Sequence, residues 1–162
     1  MPGYGIKQTF GDNVTDSSTT AQNELGVIRY EGSKEYRYVQ VVDTAVTLGD
    51  VVTQAAITEG IVTADVAGGS SVALLARGVA VGAIASGSYG WIQTKGIGVV
   101  QCDGGVVAGD ALVPHASENG HADTVLANSI TANTEAQVFG WATANDAGAS
   151  AGDTATCYIN CP

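Results

Sequence analysis

Apolar and polar positions alternate in short runs along most of this chain, and the runs are richer in β-branched residues than helices would be. Tyr36-Arg37-Tyr38-Val39-Gln40-Val41-Val42 sets aromatic or β-branched residues against polar ones with a period of two, the pattern of a half-buried strand. Val51 to Ile57 and Ile61 to Val66 predict two more strands, joined by a hairpin turn at Thr58-Glu59-Gly60. The stretch from Val72 to Ala85 is nearly all apolar. Gly78 and Gly82 would each cost about 1 kcal/mol in a helix interior, and Val79, Val81 and Ile84 favour extended backbone, so it predicts a strand with a glycine bend. Tyr89 to Thr94 then pairs back after Ser86-Gly87-Ser88. Further short strands are expected at Ile97 to Gln101, Ala111 to Val113, Thr124 to Ala127, Gln137 to Thr143 and Thr154 to Ile159. This series predicts an all-β fold, a compact sandwich or small barrel of short antiparallel strands with an extended N-terminal arm.

The arm is residues 1–25, where single apolar residues are scattered among Gly, Asn, Asp, Ser and Thr with no period of two or 3.6. It is expected to end in a short helical turn capped at Asp16 or Ser17, and to need a neighbouring surface to lie on. Residues 26–162 are expected to form a single β domain. Within it, Leu48-Gly49-Asp50-Val51-Val52, Ala108-Gly109-Asp110-Ala111-Leu112 and Ala151-Gly152-Asp153-Thr154-Ala155 form a weak repeat. A glycine able to take positive φ, followed by an Asp that can bond the adjacent backbone, makes a corner leading into a strand.

Composition narrows the function classes. No apolar run approaches the roughly 18–20 residues of a spanning helix, and Met1-Pro2-Gly3-Tyr4-Gly5 starts no signal peptide, so a soluble protein made in the cytosol, with no membrane partner, is expected. The net charge is −10. All six basic residues fall in residues 1–95, against nine acidic ones, whereas residues 96–162 hold seven acidic residues and no Lys or Arg. So few cations release few phosphate counterions, which argues against direct nucleic-acid binding. Cys102, Cys157 and Cys161 are an odd set, expected as reduced thiols or at most one bridge involving Cys102.

Catalytic signatures are missing: there is no Gly-x-Ser-x-Gly elbow, no Walker loop, no His-Glu-x-x-His and no Cys-x-x-Cys. Gly96-Ile97-Gly98-Val99-Val100-Gln101 lacks the third glycine of a dinucleotide fingerprint. Asn145-Asp146-Ala147-Gly148 begins like a calcium loop but has no Glu at the twelfth position. His115 and His121 flank a loop without the close ligand pairing of zinc sites. No catalytic residue, metal ligand or cofactor is therefore expected. Trp91 and Trp141, each after a glycine, are expected in the core. Tyr30, Tyr36 and Tyr38 lie among Arg29, Lys34 and Arg37 in the chain's one basic and aromatic cluster, a composition suited to a protein contact.

Tyr36-Arg37-Tyr38-Val39-Gln40 after an arm, then Gly78 to Gln93, Ala108-Gly109-Asp110-Ala111-Leu112-Val113, and Val138-Phe139-Gly140-Trp141-Ala142-Thr143-Ala144 with Ala151-Gly152-Asp153, follow one another in an order that resembles the capsid decoration (cement) proteins of tailed bacteriophages. The resemblance covers most of residues 29–160 and rests on the order of short motifs. It implies a non-enzymatic virion protein, assembled in the host cytoplasm, that adds to the outside of an icosahedral head and stabilises the capsid. It also implies the major capsid protein and further copies of itself, commonly as a homotrimer, as partners. On this reading Tyr4, Ile6, Lys7 and Phe10 of the arm, with Arg29, Tyr30, Lys34, Tyr36, Arg37 and Tyr38, meet capsid or adjoining subunits. The competing expectations are a head-fibre or surface β module binding host carbohydrate, which needs accessible Trp91 and Trp141, and a small β-barrel enzyme, which needs a convergent polar set.

Overall fold

The computed structural model describes residues 10–55, 58–65, 75–115, 117–125, 138–146, 148 and 152–161. Tyr4, Ile6 and Lys7, the expected strand residues Ala56, Ile57, Val66, Val72, Ala73, Leu74, Leu126, Ala127 and Gln137, and Ala151 of the repeat lie outside them. The regular elements of the described residues are all strands: β1 (Ser17–Ser18), β2 (Ile28–Glu31), β3 (Lys34–Val41), β4 (Val51–Gln54), β5 (Ile61–Thr63), β6 (Ala76–Ala80), β7 (Tyr89–Cys102), β8 (Ala111–Pro114), β9 (Ala122–Thr124), β10 (Gly140–Ala142) and β11 (Asp153–Asn160).

Nine of these strands, β3 to β11, close into two five-membered rings that share β7, while β2 pairs with β3 and β1 with β7 outside the rings. The first runs β3–β7–β6–β4–β5 and returns to β3; the second runs β7–β11–β10–β8–β9 and returns to β7. Pairing is antiparallel except for β3 with β5 and β7 with β9, which are parallel. Sharing one strand requires it to be long, and β7 spans 14 residues. The sequence pattern splits it at Lys95-Gly96, but the strand continues through that point. The β3–β7 register slips by one residue where Tyr36 pairs with Gln93 and Glu35 with Lys95, which leaves Thr94 as the extra residue of a bulge where β7 passes from one ring to the other. Gly96, two residues on, takes φ +99, and a Cβ there would lie 2.9 Å from the Ser33 carbonyl oxygen.

The rings repeat one another in register. Val51 pairs with Val79 and Val52 with Gly78 as Ala111 pairs with Trp141 and Leu112 with Gly140. Gln54 opposes Val62 as Pro114 opposes Ala122, and Val39 opposes Gly90 as Val100 opposes Ala155. The corner bonds repeat too. Gly49 N donates to Ala80 O (2.9 Å) and Gly109 N to Ala142 O (2.8 Å), while Ala80 N and Ala142 N donate to Asp50 O and Asp110 O (2.8 and 2.9 Å). The two Gly-Asp corners lead into β4 and β8 with φ +91 at Gly49 and +100 at Gly109. Gly152 belongs to a different corner, equivalent to Gly87: the two N–H groups donate to Cys102 O and Val41 O.

Each ring has an apolar interior. Val39, Val41, Val46, Val52, Val62, Ala80, Ile84 and Ile92 fill the first; Val100, Cys102, Val106, Leu112, Phe139, Ala142, Cys157 and Ile159 fill the second. Val51, Ala76 and Val79 join the second cluster, so the cores meet at the seam. There, Val51 N donates to Gly120 O (2.6 Å) and Gln101 N to Gly49 O (2.9 Å).

A third cluster lies on the outside of the first ring, where Tyr36, Tyr38 and Trp91 are covered by Phe10, Val14, Leu25 and Val27. The expected helical turn is not formed. Ser17 and Ser18 pair instead with Gly90 and Tyr89 of β7, and Asp16 closes a turn by accepting the Asn13 N–H at 3.0 Å. A second set of hydrogen-bond partners on the edge of β7 wins over a local helix.

Candidate functional site

The cluster picked out by composition is largely engaged within the chain. Arg29 lies 5.4 Å from the Phe10 ring centre and 5.7 Å from that of Trp91, donates to the Asp12 carbonyl oxygen at 2.6 Å and pairs with Glu31 at 2.5 Å. Asp12 in turn accepts the Trp91 indole N–H at 2.7 Å and the Asn23 amide at 3.2 Å. Phe10 stands edge-on to Trp91 at 5.0 Å, and the Tyr38 hydroxyl accepts the Gln22 N–H. Tyr36 and Tyr38 are buried, and burial raises the Tyr36 phenol above its ordinary pKa. Tyr30 is 70% exposed. Lys34 lines a groove with Val14, Leu48, Val81, Ile97 and Val99, a concavity of about 360 Å³ between the rings.

Arg37 goes the other way. It shares the inward face of β3 with Val39 and Val41 and, with Arg77, lines a cavity of about 190 Å³ at one end of the first ring.

The second ring turns a bare apolar face outward. Trp141 pairs with Tyr158 across β10 and β11, and Tyr158 with Ile97 across β11 and β7, so the three side chains form one row. Val99 stands two residues along from Ile97. Trp141 is 45% exposed, against 0% for Trp91, which corrects the expectation that both fill the core. The reason is strand parity: Gly140 and Ala142 take the inward positions of β10, leaving Trp141 on the outer face. A Cβ on Gly140 would sit 2.5 Å from the Tyr158 carbonyl oxygen, so any side chain there must displace backbone. Sequence reasoning missed this row; the signal available was the small-large-small order of Gly140-Trp141-Ala142.

The polar groups that sequence reading weighed for chemistry have structural partners. His115 Nδ1 accepts the Ser117 and Glu118 N–H groups, which leaves the proton on Nε2, 3.1 Å from Asp103. Asp146 and Asn145 accept backbone N–H groups of Val106 and Ala108 and so fix a turn. Among the described residues no three His, Cys, Asp or Glu side chains gather in an arrangement that would hold a metal ion. All three cysteines are free; burial pushes the Cys102 thiol up to about 11 and those of Cys157 and Cys161 to about 12. In the β7–β11 ladder Cys102 faces Asp153 and Cys157 faces Gly98, so the two lie four rungs apart. No helix among the described residues is long and apolar enough to cross a membrane.

No family model matches the chain, and no curated protein does. Among solved structures it is similar to a chain described as the head fiber gp8.5 N base of bacteriophage phi29, at 16% identity and a TM-score of 0.49, over 77% of this chain and 92% of that one. A likeness of this degree carries no information about activity.

Proposed function

We propose that this chain is a non-catalytic structural protein of a tailed-phage virion that binds the outside of the icosahedral head and stabilises the capsid, with the major capsid protein and two further copies of itself as partners. The observation that supports it most is the bare row on the second ring. Trp141, Tyr158, Ile97 and Val99 present contiguous apolar surface with no carboxylate among them, in a half of the chain that carries seven acidic residues and no basic one. Apolar surface rich in aromatics and poor in charge is the composition of the centre of a protein–protein contact. Tyr30, fully outside the internal cluster, adds a second contact point.

The test is co-sedimentation with expanded, empty heads of the encoding phage, together with light scattering of the free protein. Wild type is expected to sediment with the heads and to behave as a trimer in solution. Trp141→Ala with Ile97→Asp is expected to keep the fold and lose the heads. Failure of wild type to sediment would overturn the reading.

One observation favours a second reading. Trp141 beside Tyr158 is also the kind of exposed aromatic pair that supports a sugar ring, as a host-binding surface module would require. Since Trp91 is buried, saturable quenching of the tryptophan emission by host polysaccharide, lost in Trp141→Ala, would favour that module over capsid binding.

A further inference from the structure

The strand equivalence between the rings singles out one place where the inward side chains differ in kind. At the end of the second ring, the positions are Gly98, Phe139 and Ile159, and the interior is closed: Phe139 and Ile159 are fully buried, and a Cβ on Gly98 would meet Ile159 at 2.7 Å. At the corresponding positions of the first ring stand Arg37, Arg77 and Thr94. There the interior opens into the cavity of about 190 Å³, lined by Arg37, Arg77, Gln54, Glu59 and Ile61. The second ring shows that this topology closes without cations, so the arginines are not demanded by the fold.

They are also under-paired. Arg37 has a side chain only 16% exposed, and its Nε is buried with no hydrogen-bond partner. Its one carboxylate partner among the described residues is Glu59, reached through Nη1 at 3.5 Å and itself 78% exposed, a long, water-facing contact of the kind worth little. Arg77 donates through Nη2 to Gln54 Oε1, a neutral acceptor, and forms no ion pair among the described residues. Both side chains line the same cavity. Two of the six Lys and Arg residues of a chain with net charge −10 thus share one cavity in which, among the described residues, the one carboxylate is that of the largely exposed Glu59. A part-buried guanidinium left without an anion is costly, and its planar fork matches a carboxylate in two-point contact.

We propose that this cavity is a carboxylate-binding site in which Arg37 and Arg77 clasp one carboxylate, carried by a small organic acid or by an Asp or Glu side chain of a neighbouring protein. Two guanidiniums and Glu59 leave one positive charge to balance, which suits a single monoanion and disfavours a phosphate dianion facing Glu59. The assignment stands on this chain's own geometry and does not depend on a virion role.

The experiment is a titration followed by the Nε–Hε NMR signals of Arg37 and Arg77, with acetate, an end-blocked Gly-Glu-Gly peptide and inorganic phosphate as separate probes. Acetate and the peptide are expected to shift both signals saturably, and phosphate at least tenfold more weakly. Peptide binding tenfold tighter than acetate assigns the site to a protein side chain; equal binding assigns it to a small acid. Arg77→Phe, which copies Phe139 of the other ring, should fold and abolish the shift at Arg37. Arg77→Lys, which keeps the charge without the fork, should weaken it more than tenfold. No saturable shift in wild type, phosphate binding as tight as acetate, or an Arg37 shift unchanged in Arg77→Phe would overturn the proposal.

Discussion

The two rings share topology, register and corner bonds, yet they treat their surfaces in opposite ways. The first ring is covered outside and open at its end: Phe10, Val14, Leu25 and Val27 bury Tyr36, Tyr38 and Trp91, while Arg37 and Arg77 hold open a polar cavity. The second is bare outside and sealed at its end. Ile97 and Val99, the register equivalents of Tyr36 and Tyr38, stay exposed, while Phe139 and Ile159 fill the interior. A shared backbone scheme therefore fixes where side chains point, and side-chain identity alone decides which face is left to meet other molecules.

The largest effect is expected from exchanging the interiors. Phe139→Arg would remove a fully buried aromatic and place a charge among Val100, Leu112 and Ile159 with no partner. A loss of about 3–5 kcal/mol is expected from the aromatic alone, before the buried charge is counted. The reverse change, Arg77→Phe, fills a cavity and should alter stability by less than about 1.5 kcal/mol, the range of well-accommodated core substitutions. Urea denaturation of the two variants checks the asymmetry. Equal losses would mean that the two ring ends are not equivalent positions.

Next in size are the glycines that the repeat demands twice. A Cβ on Gly78 would come within 2.8 Å of the Gln93 carbonyl oxygen, and one on Gly140 within 2.5 Å of that of Tyr158, the same contact in each ring. Backbone atoms cannot yield as a flexible side chain would. Gly78→Ala and Gly140→Ala are each expected to cost about 1–3 kcal/mol as overpacking changes, read from chemical denaturation midpoints. A cost confined to one of them would break the equivalence of β6 and β10.

These same glycines explain how much was legible in the sequence. Gly49-Asp50 and Gly109-Asp110, sixty residues apart, reveal the repeat because the corner needs positive φ and a bonding carboxylate whichever ring it serves. Gly152-Asp153 matches the same motif but serves the other corner, equivalent to Gly87-Ser88, so motif likeness misplaces it. Most strands are visible from their β-branched alternation, since local pattern and burial agree there. Ring closure is not, because it depends on pairings between distant strands and on β7 passing through Gly96 without a break. Arg37 is misread for a related reason: alternation in Tyr36-Arg37-Tyr38-Val39 suggests one wet face, but both faces of β3 are covered, and Arg37 shares the inward one with Val39. The outward Trp141 depends on the parity of a three-residue strand, too short for a period to register.

The smallest effect is a pH dependence at the corner aspartate that only the first ring buries. Asp50 is buried at the seam, where its Oδ2 accepts the Thr47 N–H at 2.6 Å and the Thr47 hydroxyl at 3.2 Å, and a Cβ on Gly120 would lie 2.8 Å from its carboxyl group. Desolvation there outweighs both hydrogen bonds and the nearby His121, so its pKa is raised above 3.8. A carboxyl group with a raised folded pKa binds its proton more tightly in the folded state. Its stabilising contribution is full below the unfolded value and is lost as pH rises through the folded one. Asp110, at the equivalent corner, makes its bond to Val107 N at 3.0 Å on an exposed surface. Asp50→Asn keeps an oxygen for Thr47 N–H and removes the buried charge, so its stability relative to wild type should improve as pH rises from 3 to 7, by no more than about 1 kcal/mol, the worth of one hydrogen bond. Thermal midpoints of Asp50→Asn and of wild type across that range measure the gain. A difference that stays flat between pH 3 and 7 would show that the packing of the second ring's loop against the first does not raise the Asp50 carboxyl.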